Sequence, residues 1–410
     1  MSALLDFEQP VANSVVARVD VLACDDAALA EFVVGLGEKK FRAAQLFSWL
    51  HEKRVTSFQA MTNLSAAFRQ RLEETAELRR PVVDDVKVAA DGTRKYQLKT
   101  VDGHIIESVW IPHASGEGRH ALCISSQVGC AMGCTFCATG SLKLTRHLTS
   151  GEIVGQVYAV LDELAQNQPE DPPPPASKAR KHEAVEGDDD DDGVDDGGEV
   201  RNGRPKRRIQ NIVYMGMGEP LHNADNVIAS IGLLTHRAGL GLSPRRLTVS
   251  TSGMAPALTR LGDETNVHLA VSLNATTDEV RREIMPVNKR WDIEALLDAC
   301  RSFPAERRRR ITFEYVLLKD TNDSDDDARR LVQLLRGFPT KVNLIPFNPH
   351  PLSPFGRPDD QRVEKFRRIL DDAGVSCFVR TTRGLDIDAA CGMLGAKKLE
   401  AARKGGLPVL

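Results

Sequence analysis

The chain has 410 residues, of which 41% are hydrophobic, and a formal net charge of −3. Its apolar runs fall short of the ~20 residues that cross a membrane, and the start, MSALLDFEQP, predicts no signal peptide. Eight cysteines are therefore expected in a reducing cytoplasm, where metal binding or catalysis is a better prediction than a disulfide framework.

The first part of the chain is predicted to be helical. Residues 1–23 show little periodicity and are expected to be a loose extension. Apolar residues then recur at helical spacing in Ala27–Leu36, Ala43–Lys53 and Leu64–Leu78, which predicts a small helical domain over residues 24–85. Its basic residues would suit a nucleic acid, but a plain packing module is equally consistent with the pattern.

A short β-meander is predicted next, over residues 86–112. Asp91-Gly92 and Asp102-Gly103 each lie between runs of alternating apolar residues, and Asp-Gly in that setting is a strong hairpin signal. Glu107 falls on the last of the three strands, among apolar neighbours. The pattern alone allows it to be an exposed, alternating polar residue.

The stretch CAMGCTFC places thiols at Cys130, Cys134 and Cys137. Thiolates are soft ligands that suit zinc, copper(I) or iron–sulfur clusters. A closed zinc site and an ordinary cluster both need four protein ligands, and this stretch offers three. The spacing favours a [4Fe–4S] cluster with one iron open to another ligand; a zinc site completed by a residue such as His147 is the alternative.

From Ala121 onwards, short β-rich runs alternate with helical runs, which predicts an α/β core over residues 113–405. Six such units imply parallel strands with right-handed crossovers and an open or partial (β/α)6 barrel, whose ligands bind at the carboxyl ends of the strands. The predicted strands are Ala121–Ser126, Ile209–Met215, Leu247–Thr251, His268–Leu273, Ile311–Leu317 and Val342–Ile345, followed by a last strand at Cys377–Thr381. The predicted helices include Gly151–Ala165, Asp225–His236, Ile293–Ser302, Ser324–Arg336 and Asp360–Ala373.

Residues 166–208 interrupt this rhythm. They contain four consecutive prolines and the run EGDDDDDGVDDGGE, with few apolar residues. Such a segment cannot offset its ordering entropy, so we predict a disordered insertion. Without the acidic run, basic residues outnumber acidic ones in the rest of the chain, which permits a polyanionic partner.

Six motifs together resemble one family. They are CISSQVGCAMGCTFCATG, MGMGEPL, STSG, SLNA, NLIPFNP and RGLDIDAACGML. They are similar to those of RlmN, radical-SAM methyltransferases that act on carbon 2 of an adenosine in the peptidyl-transferase loop of 23S rRNA and of the adenosine 3′ of the tRNA anticodon. The resemblance covers nearly the whole chain except the extension and the insertion, and implies a cytoplasmic bacterial enzyme.

The resemblance also implies the cofactors and their ligands. Cys130, Cys134 and Cys137 would hold a [4Fe–4S] cluster, whose open iron binds S-adenosylmethionine (SAM). The further SAM contacts would be Gly218, Glu219, Ser250, Ser272, Leu273, Asn274 and Asn348. All of these follow or end predicted strands.

Three further residues carry the chemistry that the family implies. Cys391 would be methylated first. A radical from a second SAM would then remove a hydrogen atom from that methyl group, and the resulting methylene radical would add to carbon 2 of the base. Glu107 would accept the proton from carbon 2, and Cys123 would attack the Cys391 sulfur. A transient disulfide between Cys123 and Cys391 would release methylated RNA.

The expected partners are 23S rRNA, tRNA and a flavodoxin-like electron donor, with no membrane, and we expect a monomer. Two alternatives remain open at this stage. A sister family, Cfr, has nearly the same motifs and methylates carbon 8 of the same rRNA adenosine. A non-catalytic RNA-binding protein with a structural zinc is the more distant alternative.

Overall fold

The computed structural model describes residues 18–113, 120–167, 208–304 and 310–395. Most of the predicted extension and insertion, and the end of the predicted core, lie outside the described residues. Two short pieces of those segments are described, and they belong to regular structure: Val19–Asp20 form strand β1, and the helix that begins at Ser150 continues to Asn167.

The N-terminal part contains three helices, as predicted, with termini that the sequence encodes. The side chain of Asp25 accepts a hydrogen bond from the Ala28 amide, and Ser65 accepts one from Phe68, which are N-cap contacts. The helices are α1 (Asp26–Gly35), α2 (Phe41–Phe47) and α3 (Ala66–Thr75). Strand β1 pairs in parallel with β2 (Ala76–Glu77), which joins the beginning of the helical part to its end.

A ten-stranded sheet organises the rest of the described chain. Its antiparallel part is the predicted meander, β3 (Val82–Val88), β4 (Arg94–Lys99) and β5 (Ile105–Ile111). The meander begins at Val82, so residues 82–85 are strand and do not belong to the helical part in which they were predicted. Its parallel part is β6 (Ala121–Cys123), β9 (Asn211–Tyr214), β10 (Leu247–Thr251), β11 (His268–Ser272), β12 (Ile311–Leu317), β13 (Thr340–Pro346) and β14 (Cys377–Val379). A separate two-stranded ribbon pairs β7 (Gln127–Val128) with β8 (Arg146–His147). The meander continues the main sheet because β5 pairs with β6.

Helices connect the parallel strands. They are α4 (Ser150–Asn167), α5 (Ala224–Thr235), α6 (Ala255–Glu264), α7 (Asp278–Ile284), α8 (Ile293–Ser302), α9 (Asp325–Leu334) and α10 (Asp360–Asp372). At the start of α4, the Glu152 amide donates to the Thr149 hydroxyl and the Thr149 amide donates to the Glu152 carboxylate, a reciprocal capping box. None of the described helices is long and apolar enough to cross a membrane.

The side chains of the large sheet divide between two faces. On β12, Tyr315 packs against Phe366 of α10 with ring centroids 5.4 Å apart, so odd-numbered side chains of this strand face the helices. Glu314 therefore points to the opposite side, which we call the inner face. Glu314 pairs with Ser272 of β11, which brings Ser272 onto the same face.

The strand register shows which residues of the other strands, as far as the meander, point to the inner face. Ser250 of β10 pairs with Ala270, two residues before Ser272, and so shares its face. Val213 of β9 pairs both with Thr248 and with Cys123. Since Cys123 pairs with Val109 of β5, Glu107 also points to the inner face. Parallel strands, covered by helices on one side, thus present thiols, hydroxyls and carboxylates on the other.

Candidate active site

The three-cysteine segment forms a tight loop between β7 and β8. The Cys137 amide donates to the Cys134 carbonyl at 3.1 Å, and the Gly140 amide donates to the Cys137 carbonyl at 3.0 Å. A Cβ at Gly140 would lie 2.6 Å from the Cys134 carbonyl oxygen, so only glycine fits there. The backbone therefore wraps closely around the three thiols.

Burial raises the pKa of the Cys130 thiol to about 12, and it raises the pKa values of Cys134 and Cys137 as well. The thiols also raise one another's pKa values, because each thiolate repels the next. Three thiolates in this loop therefore require a positively charged partner. Among the described His, Cys, Asp and Glu residues, no group of three converges as ligands of a single metal ion.

Glu219 joins the carboxyl ends of β9 and β10. Its carboxylate accepts hydrogen bonds from the Leu221 amide at 3.0 Å and from the Ser252 amide at 2.7 Å. Burial raises the pKa of Glu219 despite these contacts. The preceding Gly218 has φ 99°, and a Cβ there would lie 2.5 Å from the side chain of Gln127. Glycine at this position is thus required by the packing of the chain itself.

The predicted SAM contacts after β10 and β11 are of two kinds. Ser250 and Ser272 are half-buried, and their side chains point to the inner face. Leu273 and Asn274 are fully buried. Leu273 directly follows Ser272, so strand alternation directs its side chain to the helix-facing side. The Asn274 carboxamide accepts a hydrogen bond from the Val316 amide at 2.8 Å. Those two residues fix the local backbone, whereas the two serines present hydroxyls to the inner face.

Arg281, which the sequence analysis did not single out, ties these strand ends together. It is fully buried on α7. Its guanidinium donates to the carbonyls of Ser252, Ser272 and Leu273 at 2.7, 3.1 and 2.9 Å. Burial lowers its pKa to about 10, so Arg281 stays protonated at neutral pH. The Thr135 amide of the cysteine loop donates to the carbonyl of Ile284, the last residue of α7, at 3.0 Å, which places this helix beside the loop.

Cys391 lies in the segment that follows β14, and it is exposed. Its carbonyl accepts a hydrogen bond from the Asn348 side chain at 3.2 Å. The next residue, Gly392, accepts a hydrogen bond from the Ala138 amide at 2.7 Å. Burial raises the pKa of Cys137, and the nearby Cys391 thiol adds to the increase. The structure thus brings Cys391 against the cysteine loop.

Glu107 is 5% exposed, and both of its carboxylate oxygens are engaged. Oε2 accepts a hydrogen bond from the Gly395 amide at 2.9 Å. Oε1 lies 3.6 Å from Nζ of Lys95 and 3.4 Å from Nε2 of Gln97. The same Lys95 ammonium donates to the Asp388 carbonyl at 3.0 Å. Glu107 is therefore attached to the segment that carries Cys391.

Cys123 completes the group. It is buried at the end of β6, next to Glu107 on the inner face. Cys123 and Cys391 are both thiols, and the described residues contain no disulfide. The transient disulfide between them is not supported by this structure and stays a prediction.

The chain is similar to known RNA methyltransferases over most of its length. Residues 19–78 match the ribosomal RNA large subunit methyltransferase N-terminal domain, and residues 197–332 match the radical SAM superfamily. A dual-specificity RNA methyltransferase RlmN 2 from Myxococcus xanthus is 47% identical over 92% of this chain and 90% of the relative. RlmN from Geobacter sulfurreducens is 44% identical over 95% of both chains. The chain belongs to the RlmN family. A radical SAM methyltransferase from Sphaerobacter thermophilus superimposes with a TM-score of 0.78 at 38% identity, covering 92% of this chain and 99% of that one.

These findings confirm the expected radical-SAM fold, and RlmN enzymes use a [4Fe–4S] cluster and SAM. The donor set of this chain fits the cluster, because Cys130, Cys134 and Cys137 lie near one another on one tightly wrapped loop and would supply three thiolates. The neighbouring strand ends fit SAM, because the half-buried Ser250 and Ser272 lie at the carboxyl ends of the adjacent parallel strands β10 and β11.

Two residues of this candidate site, Lys95 and Arg281, were missed from the sequence. A signal existed for Lys95: it stands at alternate spacing with Gln97, so a three-stranded meander places it diagonally across from Glu107. No such signal existed for Arg281, which looks like an ordinary helix-surface arginine next to Arg282. Only the packing of α7 against the strand ends shows its position.

Proposed function

We propose that this chain methylates carbon 2 of an adenosine in 23S rRNA and of the adenosine 3′ of the anticodon in tRNA. The dual-specificity RNA methyltransferases that match it over nearly their full length support this assignment. The observation that carries it is the position of Cys391. Its segment contacts the cysteine loop through Gly392 and contacts Glu107 through Gly395.

The residues proposed to hold the cofactors lie at one end of the parallel strands. Cys130, Cys134 and Cys137 would bind the cluster, and Gly218, Glu219, Ser250, Ser272, Leu273, Asn274 and Asn348 would surround SAM. When bound, these groups supply an electron, a methyl group and a hydrogen-abstracting radical, which an electron-poor ring carbon requires. The chain's own contribution is to place Cys391 between the cysteine loop and the base.

Cys391 is proposed to take the methyl group as a nucleophile. A carbon–sulfur bond to Cys391 forms as the sulfonium–methyl bond of SAM breaks. Cys391 is an exposed residue, which supports its access to SAM and RNA, and the Asn348 side chain fixes the backbone carbonyl of the same residue. After hydrogen abstraction, the methylene radical on Cys391 would add to carbon 2 and join protein to RNA. The unpaired electron of this adduct would pass back to the oxidised cluster, so that the later bond changes involve electron pairs only.

Glu107 and Cys123 are proposed to break the covalent bond between the protein and the RNA. Glu107 takes the proton from carbon 2, and the Cys123 thiolate attacks the Cys391 sulfur. The position of both side chains on the inner face supports these roles, as does the attachment of Glu107 to the segment carrying Cys391. The disulfide that forms must then be reduced by an external thiol or dithiol.

Other parts of the assignment concern partners. The N-terminal helical part, residues 24–85, is proposed to hold the body of the RNA, because it overlaps the match to the ribosomal RNA methyltransferase N-terminal domain. A flavodoxin-like protein is proposed as electron donor, the enzyme as a monomer, and the cytoplasm as its location. The target base must leave its stack to reach Cys391, which favours unpaired loop nucleotides.

Mass spectrometry of RNA digests tests the function. The full chain, reconstituted with its cluster without oxygen, is incubated with SAM, a reductant and either 23S rRNA or tRNA lacking the modification. The expected product on both RNAs is 2-methyladenosine. Finding 8-methyladenosine alone would instead assign the chain the chemistry of the Cfr family, and unmodified RNA would refute the proposal.

A further inference from the structure

Lys95 is a buried cation at the centre of the site. It is 2% exposed on β4, and its ammonium is shared between the Glu107 carboxylate at 3.6 Å and the Asp388 carbonyl at 3.0 Å. A buried charge is costly unless it is paired and hydrogen-bonded. An apolar side chain would fill the same space at lower cost, so the position of Lys95 calls for a functional explanation.

The partners of Lys95 bracket Cys391. Asp388, which Lys95 holds, lies three residues before Cys391, and Gly395, which Glu107 holds, lies four residues after it. The Lys95–Glu107 pair thus binds both ends of the segment Asp388–Gly395, which we call the arch. The residue at the start of the arch has φ 55°, a strained backbone conformation for aspartate that the Lys95 contact helps to maintain.

A second set of contacts secures the chain just before the arch. The Asp91 carboxylate accepts a hydrogen bond from the Gly384 amide at 3.0 Å, and Asp386 accepts one from the Ala90 amide at 3.0 Å. Both involve the turn between β3 and β4, and Lys95 stands on β4 just beyond it. The segment therefore remains attached without Lys95, and what Lys95 adds is the alignment of the arch with Glu107.

We infer that Lys95 is a positioning residue for the proton transfer that releases the RNA. Its positive charge stabilises the buried Glu107 carboxylate in the ionised form. Its hydrogen bond to Asp388 aligns that carboxylate with Cys391. This inference rests on the proposed roles of Glu107 and Cys391. In the step concerned, Glu107 takes the carbon 2 proton and a sulfur–sulfur bond forms between Cys123 and Cys391. The carbon–sulfur bond breaks, and its electron pair goes to the methylene carbon, which takes up a proton.

The test is Lys95→Met in the full, cluster-loaded chain, with Lys99→Met, at the exposed end of the same strand, as the matched control. Covalent protein–RNA adduct is measured on denaturing gels and 2-methyladenosine by mass spectrometry. We expect Lys95→Met to methylate Cys391, to accumulate adduct, and to release methylated RNA about 100-fold more slowly, since removing one partner of a buried pair leaves the other uncompensated. Lys99→Met releases RNA at the rate of the unmodified chain.

Two results would overturn the inference. One is release of RNA by Lys95→Met at the normal rate. The other is loss of release without adduct in a variant that keeps its cluster absorbance and methylates Cys391. If Lys95→Met loses its cluster, Lys95→Arg and Lys95→Gln decide: faster release by the arginine variant supports the inference, and equal rates overturn it.

Cys123→Ala, measured in parallel, separates this inference from the proposed function. If Cys123→Ala forms no adduct, the proposed roles of the catalytic residues fail. If Cys123→Ala traps adduct and the Lys95 variants do not, only the role of Lys95 fails.

Discussion

Gly395 and Glu107 are joined by a hydrogen bond of 2.9 Å between the Gly395 amide and the Glu107 carboxylate, although they are 288 residues apart in the sequence. The contact has a consequence for Glu107→Gln. The glutamine carbonyl can still accept the Gly395 amide, but the side chain can no longer accept a proton at neutral pH. We expect a folded variant that methylates Cys391, accumulates adduct and forms 2-methyladenosine at least ~100-fold more slowly, the usual loss for a catalytic base.

Stopped time courses on tRNA measure this, with Gln97→Ala as control. Gln97 contacts the same carboxylate at 3.4 Å but carries no charge, and its removal should lower the rate by less than ~10-fold. A Glu107→Gln variant that releases product normally would exclude Glu107 as the proton acceptor.

Cys123→Ala is expected to stop the reaction one step later. The Cys391 sulfur keeps its bond to the RNA because no second thiol attacks it. Cys300→Ala is the matched control, because Cys300 is equally a buried thiol but lies on α8 behind the sheet. Denaturing gels should show adduct with Cys123→Ala and none with Cys300→Ala. Equal adduct in both variants would mean that trapping reflects general damage to the core.

Arg281→Met tests the strand-end framework. The substitution leaves three buried carbonyls without their donor and is expected to lower the free energy of unfolding by about 3 kcal/mol or more. Arg282→Met, at the adjacent exposed position, should change it by less than ~0.5 kcal/mol. Thermal melting and iron content measure both variants. Similar melting temperatures for the two would contradict the role given to Arg281.

His51 predicts a pH dependence of stability. Burial lowers the pKa of His51 to about 3, whereas an unfolded histidine titrates near ~6.5. Below pH ~6.5 the unfolded chain therefore binds a proton that the folded chain excludes, so stability is full above that pH and falls as the pH drops towards 3. Between pH 7 and pH 5 the expected loss from this group is about 2 kcal/mol.

Denaturant unfolding of the chain and of His51→Gln at pH 7 and pH 5 measures that difference. His51 bonds to the Tyr158 hydroxyl at 2.9 Å, and a glutamine can replace that contact without titrating. The variant should lose less stability than the parent on acidification. The same loss in both proteins would assign the effect to other groups.

The sequence predicted the sheet better than the site. Leu247–Thr251 and Ile311–Leu317 match their predicted strands residue for residue, because buried parallel strands are short apolar runs bounded by polar turns. The junction of the meander with the main sheet was not predicted, since the pairing of β5 with β6 is long-range. The same limit applies to Lys95 and Arg281, whose neighbours are distant in sequence and are brought together only by packing.

The site roles came from the motifs, and the structure adds their arrangement. Motif resemblance pointed to Cys391 and Glu107 separately, and periodicity could not place them together. What brings them together is the return of the segment after β14 across the inner face to β4 and β5. Backbone hydrogen bonds of that kind leave no pattern of apolar residues that could be recognised in advance.

In the proposed mechanism, the target base becomes bonded to Cys391 within this arrangement. Proteolysis and mass spectrometry of the adduct formed by Cys123→Ala locate the bond directly. We expect a peptide in which the Cys391 sulfur is linked through one carbon atom to carbon 2 of adenosine. A linkage to any other residue, or an adduct that persists in Cys391→Ala, would contradict it.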